Sequence, residues 1–253
     1  KYVKFGEENV IRVEVINHDQ PNSRWYSGTG IYRPVYLWTG DQKYIPVNGI
    51  RIHTVSYAPA EIEVEIKTSC PGTVKVEILD KNQIVLTQEV ENTGHPSVLR
   101  MEIPDAKLWD CEHPNLYTLR ATFGEDVVEE NFGIRLLEWN PEKGLTINGK
   151  REILRGACVH HDNGVLGACT YLEAEERRVR ILKENGYNAI RSSHYPCSKD
   201  MLDACDRQGM LMMDEYVDVW YIHKTKYDYA GYLNEWWQQD LKDMAEKDYN
   251  HPC

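Results

Sequence analysis

The chain has 253 residues, is 42% hydrophobic and 27% charged, and carries a net charge of −11. That length and apolar share exclude a mainly disordered chain, and at roughly 150 residues per domain they hold one or two ordinary domains, or three small ones. The acidic balance speaks against nucleic acid or an anionic membrane as a partner, and apolar runs as short as residues 210–213 span no bilayer.

From the start, one strand is expected over 10–16. A Gly-rich aromatic loop follows over 23–33, then a strand over 35–38. Two strands and a loop cannot close a core. This stretch therefore reads as the last piece of an earlier β domain. Between 45 and 138 apolar and polar residues alternate in seven short runs: 50–57, 61–67, 73–79, 84–90, 98–103, 116–123 and 127–136. Turn residues separate them, as at Ala58-Pro59, Pro71-Gly72 and Thr93-Gly94. Seven alternating strands predict an antiparallel sandwich of immunoglobulin type, although the Cys…Trp…Cys spacing of antibody domains is missing.

Near residue 140 the pattern changes to strand–helix units. A strand is expected over 152–154. Thr170-Tyr171-Leu172-Glu173 has capping-box spacing and opens a helix that Asn185-Gly186 stops. A strand follows over 188–191. Ser198 caps a second helix through Arg207, which Gly209 ends. Residues 210–214 are nearly all apolar, as in a strand buried on both faces. A third helix is expected over 232–248, with Trp236 and Trp237 packing it onto the sheet. Three successive βα units imply right-handed crossovers and a parallel sheet.

Seven cysteines stand at 70, 111, 158, 169, 197, 205 and 253, an odd count with no CxxC. They read as small apolar residues of a reduced, cytoplasmic protein, and no signal peptide is visible at the start. A Cys70–Cys111 bridge in an exported form is the alternative.

In parallel βα architectures the working residues sit just past the C-terminal ends of the strands. That rule selects His160, His161 and Asp162, then Arg191 through Tyr195, then Asp214, Glu215, Asp218 and Trp220. His, Asp and Arg bond sugar hydroxyls, and Trp covers an apolar sugar face. A shared polar pocket is expected, against the alternative of buried structural hydrogen bonders. Arg191 can equally serve to neutralise Asp214 or Glu215. Consecutive strand residues point to opposite faces, so Asp214 and Glu215 cannot oppose each other as a glycosidase pair. One should face the pocket and the other should be structural. Within the 23–33 loop, Arg24 is the best candidate for a ligand contact. His160 and Asp162 as metal ligands would need a spaced third ligand.

An ordered set of motifs resembles glycoside hydrolase family 2. It comprises the 23–33 loop with its Gly-Ile-Tyr-Arg ending, Asn148-Gly149-Lys150 followed by Arg155-Gly156 and His160, and Asn188-Ala189-Ile190-Arg191-Ser192-Ser193-His194-Tyr195-Pro196. Cys205-Asp206-Arg207-Gln208-Gly209, Asp214-Glu215 and Asn250-His251-Pro252 complete it. The resemblance implies the end of a jelly-roll domain over 1–41 and an immunoglobulin-like sandwich over 42–139. Residues 140–253 would be the first βα units of a (β/α)8 TIM barrel. It implies a retaining exo-β-glycosidase, β-galactosidase-like, with β-glucuronidase as the alternative inside the family. Its acid/base and nucleophile glutamates would lie beyond Cys253, so this chain alone holds no catalytic residue. His160, Asp162, Arg191 and His194 would line the sugar subsite, with Asp214, Glu215, Trp220 and Arg24 as further substrate contacts. Val219, Trp220 and Tyr221 replace the Glu-x-His magnesium site of β-galactosidases, so neither metal nor cofactor is expected. The expected partner is a carbohydrate substrate, a β-galactoside or related β-glycoside, with a homo-oligomer left open. A non-catalytic carbohydrate-binding or interaction module is the rival of another class.

Overall fold

The computed structural model describes residues 2–22, 24–26 and 29–253. Ser23, Ser27 and Gly28 of the aromatic loop lie outside the described residues. The strands expected over 10–16 and 35–38 do not form among the described residues, and Val10 and Leu37 are both 82% exposed. The physical reason is pairing. A strand's N–H and C=O groups need a neighbouring strand, and no described residue supplies one.

Seven strands follow, in two antiparallel sheets. They are β1 (Ile50–Tyr57), β2 (Ala60–Ile66), β3 (Gly72–Asp80), β4 (Gln83–Asn92), β5 (Ser97–Glu102), β6 (Tyr117–Phe123) and β7 (Asp126–Phe132). One sheet has the order β1-β2-β5 and the other β4-β3-β6-β7. The alternation read from the sequence is the burial pattern. In β2, Ile62, Val64 and Ile66 are fully buried while Glu61, Glu63 and Glu65 face outward. Val74, Val76 and Ile78 of β3 and Leu119, Ala121 and Phe123 of β6 complete the same core. On the outer face Glu63 lies opposite Arg100, which donates to it at 3.1 Å. All seven cysteines are free, and Cys70 and Cys111 belong to different core clusters.

A hairpin absent from the sequence reading comes next: β8 (Leu137–Asn140), β9 (Gly144–Ile147) and β10 (Lys150–Arg151). Asn148 and Gly149 take φ of 51° and 74°, the left-handed pair that a two-residue hairpin turn needs. The hairpin's Leu145 and Ile147 pack with Trp109 and Cys111 against Ala189 and Leu211. Those last two are the first residues of two parallel strands, so the hairpin covers the N-terminal end of the parallel sheet.

That sheet is β11 (Gly156–His160), β12 (Ala189–Ser193) and β13 (Leu211–Met213), linked by helices α1 (Leu172–Glu184) and α2 (Lys199–Gln208) and followed by α3 (Ala230–Asp248). Pairing is parallel, with Gly156, Ala189 and Leu211 level, and Cys158, Arg191 and Met213 level. The first strand starts later than expected. Ile153 and Leu154 are exposed, and the ladder instead uses the small residues Gly156-Ala157-Cys158. The capping box at Thr170 does not form. Tyr171 is the N-cap residue and Thr170 Oγ1 is buried without a hydrogen bond. Ser198 does cap α2, accepting from Met201 N at 3.2 Å. Gly209 ends that helix at φ 68°, where a Cβ would also stand 2.5 Å from the Cys111 carbonyl oxygen.

Helix α3 is held at its C-terminal end. Asn250 donates to Ile50 O and accepts from Ile52 N, both at 2.9 Å, and Arg51 meets Glu246 at 2.9 Å. These contacts join the helix end to the edge of β1. Trp236 and Trp237 remain 47% and 41% exposed, so these rings are only partly covered.

Candidate functional site: a polar cluster at three strand ends

Parallel register brings the ends of β11, β12 and β13 to one edge. His160 closes β11 level with Ser193, the last residue of β12. His194 follows at once, and Glu215 lies two residues past β13. Here the chemistry converges. Glu215 Oε1 takes the guanidinium of Arg191, and Oε2 lies 2.6 Å from His194 Nδ1. His160 Nδ1 lies 3.1 Å from the Ser193 carbonyl oxygen. The rings of His160 and His194 meet edge to face at 5.4 Å. A carbonyl and a carboxylate accept only, so both Nδ1 atoms carry protons. In the neutral imidazoles each Nε2 is then an acceptor.

Asp214 and Glu215, just past β13, make contacts with different partners. Glu215 faces the cluster. Asp214 points to the other side, where its Oδ1 accepts from Cys197 N at 2.9 Å. Its Oδ2 is buried with no hydrogen-bond partner among the described residues. Arg191 sits opposite Glu215 as a neutralising partner.

Arg24 is ion-paired within the chain. Its Nε and Nη2 donate to the two oxygens of Asp218 at 2.7 and 2.5 Å, and Lys224 Nζ adds a third contact at 2.6 Å. The Asp218 side chain is only 1% exposed. Burial works to raise its pKa, but the hydrogen bonds from Arg24 and Lys224 outweigh that and hold it below the ordinary carboxylate value. Arg24 is thus engaged by a residue 194 positions away. Trp220, two residues past Asp218, is 63% exposed.

The aromatic loop contributes through other residues. Trp25 stands edge-on to His160 at 4.6 Å, and Tyr26 Oη donates to Ser193 O at 3.4 Å. Arg33 donates to Pro196 O at 3.1 Å and approaches His161 Nδ1 at 3.4 Å. Sequence reasoning missed Trp25, Tyr26 and Arg33 as individuals, although their crowding with glycine was the visible signal. His161 is not a ligand donor to the cluster. Its Nε2 bonds Tyr195 O at 2.9 Å, and burial, with Arg33 next, pushes its pKa down to about 4. Arg178 of α1 holds the turn after β11 by donating to the carbonyl oxygens of His160 and Asp162. Asp162 is half-buried in that turn beside His160, His161 and Asn163.

His160 and Asp162 do not belong to a group spaced to hold an ion. Among the described residues the one such grouping is Asp203, Asp206 and His251, away from the three strand ends.

Two stretches match family models. Residues 47–135 match "Glycosyl hydrolases family 2", and residues 141–253 match "Glycosyl hydrolases family 2, TIM barrel domain". The chain belongs to glycosyl hydrolase family 2. Within the family it is 37% identical to beta-galactosidase BoGH2A of Bacteroides ovatus, over 99% of this chain and 32% of that one. It is 36% identical to a putative beta-glucuronidase of Formosa agariphila, over 100% of this chain and 25% of that one. A family 2 member from Bacteroides cellulosilyticus has a solved structure with TM-score 0.85 and 36% identity, covering 91% of this chain and 32% of that chain. The family 2 chain described here thus spans between a quarter and a third of the length of these relatives.

Two outcomes follow. Arg24→Ala should destabilise the fold by about 3 kcal/mol in urea unfolding, because it strips a main partner from a buried carboxylate. Arg24→Lys should recover part of that, whereas a residue serving only a ligand would leave stability unchanged. His161 stays neutral when folded down to about pH 4, while its ordinary value is 6.5. Between those values the unfolded chain binds the proton and the folded chain does not, so stability falls as pH drops through this window. His161→Gln should flatten that slope, measured as urea midpoints from pH 7 to pH 4.

Proposed function

We propose that this chain is a segment of a retaining exo-β-glycosidase that hydrolyses terminal β-linked sugars, β-galactosidase-like in its preference. The observation that carries the reading is the His160–His194–Glu215–Arg191 cluster at the ends of three adjacent parallel strands. Its two imidazole Nε2 acceptors suit sugar hydroxyls, which donate hydrogen bonds in fixed directions. Asp162, two residues past His160, would supply an anionic acceptor, and Trp25, edge-on to His160, would supply a ring for an apolar sugar face. Relatives named beta-galactosidase and beta-glucuronidase both support a glycosidase.

The proposed domain plan is the tail of a jelly roll over 1–41, an immunoglobulin-like sandwich over 42–139 and the first βα units of a (β/α)8 barrel over 140–253. The three- and four-stranded antiparallel sheets support the second part, and the β11-β12-β13 order supports the third. Residues of this chain bind and orient the sugar. A carboxylic acid that protonates the leaving oxygen and a carboxylate that attacks the anomeric carbon are needed in addition, about 5–5.5 Å apart. The family resemblance assigns both to glutamates beyond Cys253. A reducing, cytoplasmic setting accords with seven free cysteines.

The test compares two polypeptides with p-nitrophenyl β-galactoside and p-nitrophenyl β-glucuronide. The 253-residue chain should give no turnover. A polypeptide extended past Cys253 through the later strands should hydrolyse the galactoside faster, and should lose this on His194→Ala. Turnover by the 253-residue chain that disappears on His194→Ala would contradict the plan, and a preference for the glucuronide would favour the β-glucuronidase reading.

A further inference from the structure

Asp206 lies on α2, 3% exposed, away from the sugar cluster. All of its acceptors are engaged by distant parts of the chain. Its backbone oxygen accepts from Trp109 Nε1 at 2.9 Å. Its carboxylate accepts from Cys253 N at 2.9 Å through Oδ1 and from His251 Nδ1 at 2.5 Å through Oδ2. Asp203 does not share this task. It is 3.8 Å from His251 and is held by Lys199 at 2.8 Å.

Residues 251–253 are where the chain leaves α3 and returns to the parallel sheet. Met212 N donates to Cys253 O at 2.9 Å, which makes Cys253 the first rung of pairing on the free side of β13. One rung does not fix a register, because a slip moves every following side chain to a different level or face. The available donors are few. His251 N is engaged by Asp248 O at 3.2 Å, and Pro252 has no N–H. Cys253 N is the first donor left, and Asp206 takes it together with the side chain two residues earlier. Only one alignment satisfies both bonds. Pro252 is buried between them, against Gly133, where a Cβ would come within 2.9 Å of the proline ring.

We infer that Asp206 is a positioning residue: it fixes the register at which the chain re-enters the parallel sheet at Cys253, and so the level at which the strand begun there meets the Glu215 edge of the site. The register part stands on this chain's geometry. Its consequence for turnover rests on the proposed glycosidase reading.

The experiment has two readouts. In the first, amide hydrogen exchange is followed by NMR in the 253-residue chain. Asp206→Ala should speed exchange at Cys253 and Met212 by about tenfold or more, the factor expected for losing a hydrogen bond to a charged group, with amides of β6 and α1 unchanged. Asp206→Asn keeps one oxygen for Cys253 N and should fall between. If Asp206→Ala does not fold, His251→Ala, which removes one of the two bonds, should still speed exchange at Cys253. Unchanged protection at Cys253 and Met212 overturns the inference. The second readout is turnover of p-nitrophenyl β-galactoside by the polypeptide extended past Cys253, counted per folded molecule. Asp206→Ala should lower kcat about tenfold or more with KM within about twofold, since a misplaced reacting group costs rate rather than ground-state binding, and Asp206→Asn should restore part of it. Unchanged kcat per folded molecule overturns the positioning role. An extended wild type that hydrolyses no β-glycoside counts against the glycosidase reading, and the exchange result then decides the register by itself.

Discussion

Parallel pairing of β11, β12 and β13 is the constraint on which the site depends. Parallel strands end on the same edge, and here Cys158, Arg191 and Met213 are level. Whatever ends each strand, or follows it by one or two residues, must therefore share a small volume. His160, His194 and Glu215 are such residues, and they come from three separate stretches of sequence. The N-terminal end of the same sheet is covered by the hairpin through Leu145 and Ile147. The sheet is thus closed at one end by apolar packing and open at the other to polar chemistry. This is the general asymmetry of βα folds, produced by identifiable residues.

Charge pairing then fixes what register brings together. Glu215 is held at both oxygens, by Arg191 and by His194. Each interaction restrains a side chain that would otherwise sample several rotamers. Asp218 plays the same part for the aromatic loop, since Arg24 reaches it from the first part of the chain. That ion pair brings Trp25 to His160. Desolvation makes a broken pair costly, so these contacts act as locks rather than as a net source of stability. The sandwich joins through Asn250 and Arg51 at the edge of β1, and so helps hold the segment where the chain re-enters the sheet.

The sandwich was legible in the sequence because each strand has one buried and one solvated face. Ile62, Val64 and Ile66 against Glu61, Glu63 and Glu65 is a pattern that one chain segment carries in full. The start of β11 was not legible. Gly156-Ala157-Cys158 is small and lacks alternation, while Ile153 and Leu154 look like strand and stay exposed. Thr170 had the capping-box spacing, yet the helix begins one residue later than that box requires. Strands over 10–16 and 35–38 failed for a different reason, since alternation specifies a face but not a partner. In the site, the separation of Asp214 from Glu215 followed from strand geometry alone. The ion pair of Arg24 was not legible, because nothing local marks Asp218 as its partner. Ion pairs across 194 positions leave no periodic trace in a single sequence.

The central claim is that His160 and His194 form one sugar-facing site. Histidine side-chain NMR during a galactose titration tests it most directly. The imidazole Nε2 resonances of His160 and His194 should move together and saturate with a single apparent Kd, while those of His18, His53 and His95 stay in place. Shifts confined to histidines outside the cluster, or no shift at His160 and His194 at any galactose concentration, would contradict it.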